Sequence, residues 1–173
     1  MKFFSGFSLK NEEHFFSEYI KESEYSVVGF SYGAIKAFEY VQEQLSKGNR
    51  IDTLQLFSPA FFQTQSQKFH RLQMLSFTKE RKKYIQTFID TCFQPYAKQE
   101  LEFKKTTKAE LEELLTYEWS VSDLLEMTNK GVKLEVYLGS KDAIIDVQGA
   151  RKMFLDVATV TYIKEANHFL QLS

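Results

Sequence analysis

The chain predicts an α/β fold, a mostly parallel sheet flanked by helices and interrupted by a helical insertion. Three observations predict it. Short apolar strand patterns alternate with helical periodicity over residues 1–59. The alternation stops over about 60–128, where only helical periodicity is found, and returns over 129–173. Strands joined by helices favour right-handed parallel crossovers, so a single domain over 1–173 is expected, with core 1–59 and 129–173.

The elements follow in order. Lys2 to Phe7 reads as a first strand, and Asn11 is expected to cap a helix carrying Phe15, Phe16, Tyr19 and Ile20 on one face. Ser26 to Phe30 is a short apolar strand of the kind that parallel sheets bury. A helix with Ala34, Ile35, Ala37, Phe38, Val41 and Leu45 on one stripe follows at once and ends at Gly48-Asn49. Ile51 to Phe57 alternates in part and stops at Pro59. In the insertion, Tyr84, Ile85, Phe88, Ile89, Cys92 and Phe93 form one helical stripe. Thr107 with Glu110 makes a capping box ahead of Leu111, Leu114 and Leu115. Val132 to Leu138 is a strand, Asp146 caps a helix with Ala150, Met153, Phe154 and Val157, and Val160 to Ile163 is the last strand.

Composition narrows the class. With 43% hydrophobic and 26% charged residues the balance is that of a globular chain, and 17 Phe with 9 Tyr suit both a core and an apolar pocket. A net charge of −1 provides no field that selects nucleic acid. Cys92 is the only cysteine, which excludes an internal disulfide and a zinc cluster built on paired cysteines. The opening Met1-Lys2-Phe3-Phe4-Ser5-Gly6 is too short an apolar run for a signal peptide and no stretch approaches ~20 apolar residues, so a cytoplasmic protein with no membrane span is expected; a monomer is expected as well.

The strongest local signal is Gly29-Phe30-Ser31-Tyr32-Gly33, a G-x-S-x-G pentapeptide at a switch from strand to helix. A serine there stands on a sharp turn above the sheet, and glycines two residues away avoid collision with the neighbouring strand and helix. The helix start behind Ser31 places its positive end toward a developing oxyanion. A serine hydroxyl needs a base. Of the three histidines, His14 lies in the first helix and His70 in the insertion, whereas His168 follows the last strand. Sites in parallel sheets form at the carboxyl ends of strands, so His168 is the expected base and completes the order Ser, Asp, His. Asp142, in the loop directly after strand 132–138, is the expected carboxylate, with Asp146 its competitor and better read as a helix cap. Tyr32 N–H is one expected oxyanion donor, and Phe7 N–H, in the Ser5-Gly6-Phe7-Ser8 loop, the other.

Together, Gly29 to Gly33, the segment Gly139-Ser140-Lys141-Asp142-Ala143-Ile144-Ile145 and the segment Asn167-His168-Phe169-Leu170 resemble the triad motifs of the α/β-hydrolases. The opening Phe3-Phe4-Ser5-Gly6-Phe7, the short length and the inserted helices are similar to the compact, BioV-type pimeloyl-ACP methyl ester carboxylesterases of biotin synthesis. The resemblance implies a reduced α/β-hydrolase fold whose insertion is a lid. It implies hydrolysis of the methyl ester of pimeloyl-ACP methyl ester through an acyl-enzyme on Ser31, with no cofactor or metal and with acyl carrier protein as the partner. Ser5 departs from the pattern, standing where larger relatives carry a histidine, and the first strands of the full fold are not in this sequence.

Within the insertion, residues 68–83 carry Lys68, Arg71, Lys79, Arg81, Lys82 and Lys83 against the single acid Glu80. Such a cluster can guide an acidic carrier protein, with Arg71, Arg81 and Lys82 the expected contacts. Phe69, Leu72, Phe77 and Phe88 are expected along the acyl path. Lys104, Lys105 and Lys108, interleaved with Glu100, Glu102 and Glu110, read as ordinary helix-surface charges, and Cys92 as packing. Two other functions fit the same residues: a general short-chain esterase or thioesterase acting on free small esters, and a catalytically silent binding module that keeps the fold.

Overall fold

Five parallel strands build the central sheet of the computed structural model, which describes residues 1–173. They are Lys2–Phe4 (β1), Ser26–Phe30 (β3), Thr53–Phe57 (β4), Lys133–Gly139 (β6) and Thr159–Ile163 (β7), in the order β1-β3-β4-β6-β7. A separate antiparallel pair joins Leu9–Lys10 (β2) to Glu102–Phe103 (β5). The helices are Tyr32–Ser46 (α1), Gln67–Lys79 (α2), Arg81–Phe93 (α3), Lys108–Thr116 (α4), Val121–Asn129 (α5) and Val147–Phe154 (α6), with a 3₁₀ helix at Glu12–Phe16.

The register places the chemistry at one edge. Phe4 pairs with Gly29, Phe30 with Phe57, Phe57 with Tyr137, and Gly139 with Ile163. The carboxyl ends of all five strands therefore lie together, and the loops leaving them converge. Strand side chains alternate between two cores. Val27, Leu54, Leu56, Leu134, Val136 and Leu138 join the larger one, which α1 and α6 cover. Val28, Phe30, Phe57 and Tyr137 join the smaller one, closed by Phe16 and Phe169. The central strand β3 is buried throughout, whereas β7 is a partly exposed edge strand.

The middle of the sheet also buries polar groups. Gln55 on β4 donates to Glu135 Oε2 at 3.1 Å and to the Tyr19 carbonyl at 2.9 Å. Lys21 and Lys133 pair with Glu135 Oε1 at 2.6 and 2.8 Å. This satisfied network explains the imperfect alternation of 51–57: a polar residue sits inside with its partners supplied.

Several expected boundaries hold. The Thr107–Glu110 capping box is complete, and Asp146 caps α6 by accepting the Gly149 N–H. Others need correction. The first strand stops at Phe4 rather than Phe7, because the chain turns at Gly6, where the Leu9 N–H returns to the Gly6 carbonyl at 3.2 Å. Asn11 makes no cap; its backbone is left-handed (φ 60°) and its side chain donates to Glu102 instead, so a five-residue 3₁₀ turn replaces the α-helix. The insertion holds one strand after all, β5, too short to show any periodicity. Of the interleaved charges at 100–110, only Lys108 and Glu110 lie on a helix, α4, while Glu102 pairs with Lys10 at 3.1 Å. No helix is long and apolar enough to cross a membrane.

Candidate active site

Ser31 sits between β3 and α1 with φ 54° and ψ −117°, a conformation costly for a residue with a side chain. The surroundings impose it. The Ser31 N–H donates to the Phe57 carbonyl at 2.9 Å, and its carbonyl accepts from Ala34 and Ala60, each at 3.1 Å. The flanking glycines are needed for close approach. A Cβ on Gly33 would overlap the carbonyl oxygens of Phe4 and Ser5, and one on Gly29 would run into the Gly33 carbonyl and the Ala34 Cα. The turn thus presses the start of α1 against the end of β1.

His168 arrives from the loop after β7. Its neighbours hold it: the Asn167 side chain donates to the Phe93 carbonyl at 2.9 Å, and Phe169 packs on Phe93 and Phe30. The imidazole itself lies against Phe30, with ring centroids 5.0 Å apart. Its Nε2 is 3.0 Å from Ser31 Oγ, and its Nδ1 is 2.6 Å from Asp142 Oδ2.

Asp142 comes from the loop after β6. Its second oxygen accepts the N–H groups of Ile144 at 2.8 Å and Ile145 at 3.3 Å. The loops after β6 and β7 are laced together, since the Lys141 N–H donates to the Ala166 carbonyl at 2.8 Å and the Glu165 N–H to Ser140 Oγ at 2.7 Å. Both members of the Asp142–His168 pair are buried. Serine, histidine and aspartate thus form one continuous chain of hydrogen bonds, the arrangement that makes a serine nucleophilic and fixes the tautomer of its base. Asp146 stays out of it, because its carboxylate accepts from Gly149 N–H and Thr64 Oγ1.

Of the proposed oxyanion donors, neither the Phe7 nor the Tyr32 N–H is engaged by a protein acceptor. The Tyr32 phenol donates to Glu113 of α4, which Lys36 of α1 also reaches. Burial and the Glu113 contact push the Tyr32 phenol well above its usual range, so it stays a donor. Tyr32, next to Ser31, is tied in this way to the helix α4.

A cavity of about 240 Å³ opens beside these loops, lined by Phe62, Phe69, Tyr84, Phe88, Leu114 and Ile144 among others. The Phe88 ring stands edge-on to Phe7 at 5.7 Å, and Ile144 is the residue whose N–H holds Asp142. The cavity therefore borders the loop that carries Asp142, and its Phe88 wall packs against Phe7. Two expectations for its wall are corrected. Phe77 is fully buried in the core, packed on Phe7 and Tyr84, and Leu72 is half-exposed on the outer side of α2. Arg71, Arg81 and Lys82 are all exposed, Arg81 lies over the Phe77 ring, and Glu80 pairs with Lys83 at 3.3 Å.

The remaining candidates lie elsewhere. His14 stacks on Phe15, and His70 contacts the Phe62 carbonyl at 3.2 Å. Burial pushes the Cys92 thiol well up, and the Asp142 charge adds to it, so this side chain is protonated packing rather than a nucleophile. Sequence reasoning missed Glu12 and Glu113, which sit among other acids with no pattern to mark them.

Solved structures share this architecture. A hydrolase from Oleispira antarctica superposes with a TM-score of 0.64 at 15% identity, over 85% of this chain and 59% of that one. The fold is that of the α/β-hydrolases. A carboxylesterase from Bacillus subtilis, CesB (YbfK), gives a TM-score of 0.58 at 15% identity over 93% of this chain and 58% of that one. Est816, described as an N-acyl homoserine lactone degrading enzyme, gives 0.59 at 13% identity, over 97% and 71%. The chain spans under two thirds of the length of the first two. No family profile matches the chain. No curated protein matches it either.

Proposed function

We propose that the protein is a serine carboxylesterase that hydrolyses the methyl ester of pimeloyl-ACP methyl ester in the cytoplasm. The observation that carries the reaction class is the hydrogen-bonded line from Ser31 through His168 to Asp142. Ser31 attacks the ester carbonyl while His168 Nε2 takes its proton, and Asp142 stabilises the imidazolium. The N–H groups of Phe7 and Tyr32 receive the oxyanion. The tetrahedral intermediate expels methanol, which leaves with the proton from His168. Water, deprotonated by His168, then attacks the acyl-enzyme and frees the carboxylate and Ser31.

Substrate class rests on two further features. At about 240 Å³ the apolar cavity falls below the ~300–1,000 Å³ of sites for drug-sized ligands, which suits a short unbranched acyl chain better than a bulky one. The exposed basic face of α2 and the start of α3 suits an acidic carrier. A second reading, a general esterase on free small esters, draws on the carboxylesterase among the structural neighbours.

The test compares pimeloyl-ACP methyl ester with p-nitrophenyl acetate, using wild-type protein and the double variant Arg71→Glu, Arg81→Glu. Two exposed contacts reversed should raise KM for the carrier-bound ester roughly tenfold and leave the free ester unchanged. Equal effects on both substrates would remove the docking claim. Activity on the free ester alone would favour the second reading.

A further inference from the structure

Glu12 opens the 3₁₀ helix beside the exposed Glu13, yet its own side chain is completely buried. A buried carboxylate is costly unless its oxygens are engaged. One of them is: Oε1 accepts the Gly6 N–H at 2.6 Å. The other, Oε2, has no partner at all. Burial drives the carboxyl up from its ordinary range, and the Gly6 N–H and the Ser5 hydroxyl work against that rise.

A plain role in closing the 3₁₀ helix does not explain the contact. The bond runs six residues back, out of the helix and into the Ser5–Ser8 loop. The residue at the cap position, Asn11, makes no cap bond and faces Glu102. The opposite side of the loop is also fixed. A Cβ on Gly6 would lie 2.9 Å from the Phe30 ring, the same ring that packs against His168. Phe16, from the same short helix as Glu12, packs on Phe30 and Phe57 with centroids 4.8 and 4.7 Å apart. Glu12 and Phe16 therefore register one rigid element against both the strand that carries Ser31 and the loop beside it. The Phe7 N–H, next along that loop, is engaged by no protein acceptor.

We infer that Glu12 is a positioning residue: its buried carboxylate clamps Gly6 and so aims the next N–H, on Phe7, at the oxyanion that forms on Ser31. The inference rests on the esterase reading above. Glu12 touches no reacting atom. It acts by fixing the donor, and a preorganised donor contributes in the transition state rather than in the bound substrate.

The experiment measures kcat and KM on p-nitrophenyl acetate for wild type, Glu12→Ala, Glu12→Asp and Glu12→Gln, together with hydrogen exchange of the Gly6 amide by NMR. Losing a whole oxyanion donor costs ~10²–10³-fold in kcat, so a donor left loose should cost about 10–100-fold. Glu12→Ala and the shorter Glu12→Asp should show that loss with KM within about twofold, and Gly6 exchange should speed up in step. Glu12→Gln keeps an acceptor oxygen of the same reach and should hold both rate and protection near wild type. Unchanged kcat in Glu12→Ala, or a loss seen in KM alone, overturns the inference. So does a kcat loss with Gly6 protection intact. Should Glu12→Ala fail to fold, Glu12→Asp against Glu12→Gln makes the same comparison. A wild type inert toward every ester would sink the esterase reading, while Gly6 exchange still decides the clamp.

Discussion

Changing Asp142 to asparagine isolates one proton. The Oδ1 position accepts two backbone N–H groups, from Ile144 and Ile145, so the new amide must keep its oxygen there. Turning it round would set an NH₂ against two N–H donors. The NH₂ then occupies the place of Oδ2, 2.6 Å from His168 Nδ1. A donor at that point forces Nδ1 to present its lone pair, and the imidazole proton moves to Nε2. Nε2 is the atom 3.0 Å from Ser31 Oγ, so the base faces the nucleophile with a proton already in place. The same tautomer error in a serine-protease triad lowers kcat about 10⁴-fold, roughly 5 kcal/mol of barrier, and that is the loss expected here. Stability should change little, because the turn keeps its two N–H bonds. The assay is kcat on p-nitrophenyl acetate beside a thermal melt, with Asp146→Asn as the control. Asparagine also caps helices, so that control should stay within about twofold of wild type. A loss below tenfold for Asp142→Asn with an intact fold would refute the tautomer argument. A larger rate loss in Asp146→Asn would assign the acid to the wrong residue.

Two predictions concern the scaffold. Gly33→Ala places a methyl group on the carbonyl oxygens of Phe4 and Ser5, so β1 and the loop after it must move. A stability loss of about 2–4 kcal/mol by urea titration is expected, with kcat falling alongside; a variant as stable as wild type would contradict the packing account of the elbow. Glu135→Gln tests the buried network. Burial alone would raise the Glu135 carboxyl, but the Lys133 and Lys21 ammoniums and the Tyr137 hydroxyl hold it at about 2, against an ordinary 4.5. A carboxylate with a depressed folded value contributes stability above pH 4.5 and loses it as pH falls from 4.5 toward 2. The shift corresponds to at most about 3 kcal/mol. Urea midpoints should fall in wild type across that window and flatten in Glu135→Gln; parallel slopes would show that Glu135 does not carry the acid sensitivity.

What the sequence shows of this molecule depends on how many residues share a signal. The β3–α1 elbow is legible because Val27-Val28, two glycines and a helical stripe all point to one turn, and Asp146 is legible as a cap because capping is local. Ser31 is marked by that elbow, whereas His168 and Asp142 are identified by strand-end position and by the order Ser, Asp, His, and the register that aligns those strand ends brings the three together. The pairing of β2 with β5 is invisible in sequence, since two residues carry no period and the partners lie more than ninety positions apart. The 3₁₀ turn replaces the expected helix because Glu12 bonds back to Gly6 and Asn11 faces Glu102. Both are tertiary contacts that override local propensity. Leu72 fails as a pocket residue for a related reason. Helical spacing reports which residues share a face, not which face the rest of the chain covers.

The most direct test of the central claim is covalent labelling with a fluorophosphonate, read by intact mass and by mapping of the labelled peptide. The account predicts one adduct, on Ser31, absent in Ser31→Ala and slowed by orders of magnitude in His168→Ala. Labelling of another residue, or none in a folded wild-type protein, would contradict it and leave the hydrolase fold serving as a binding module.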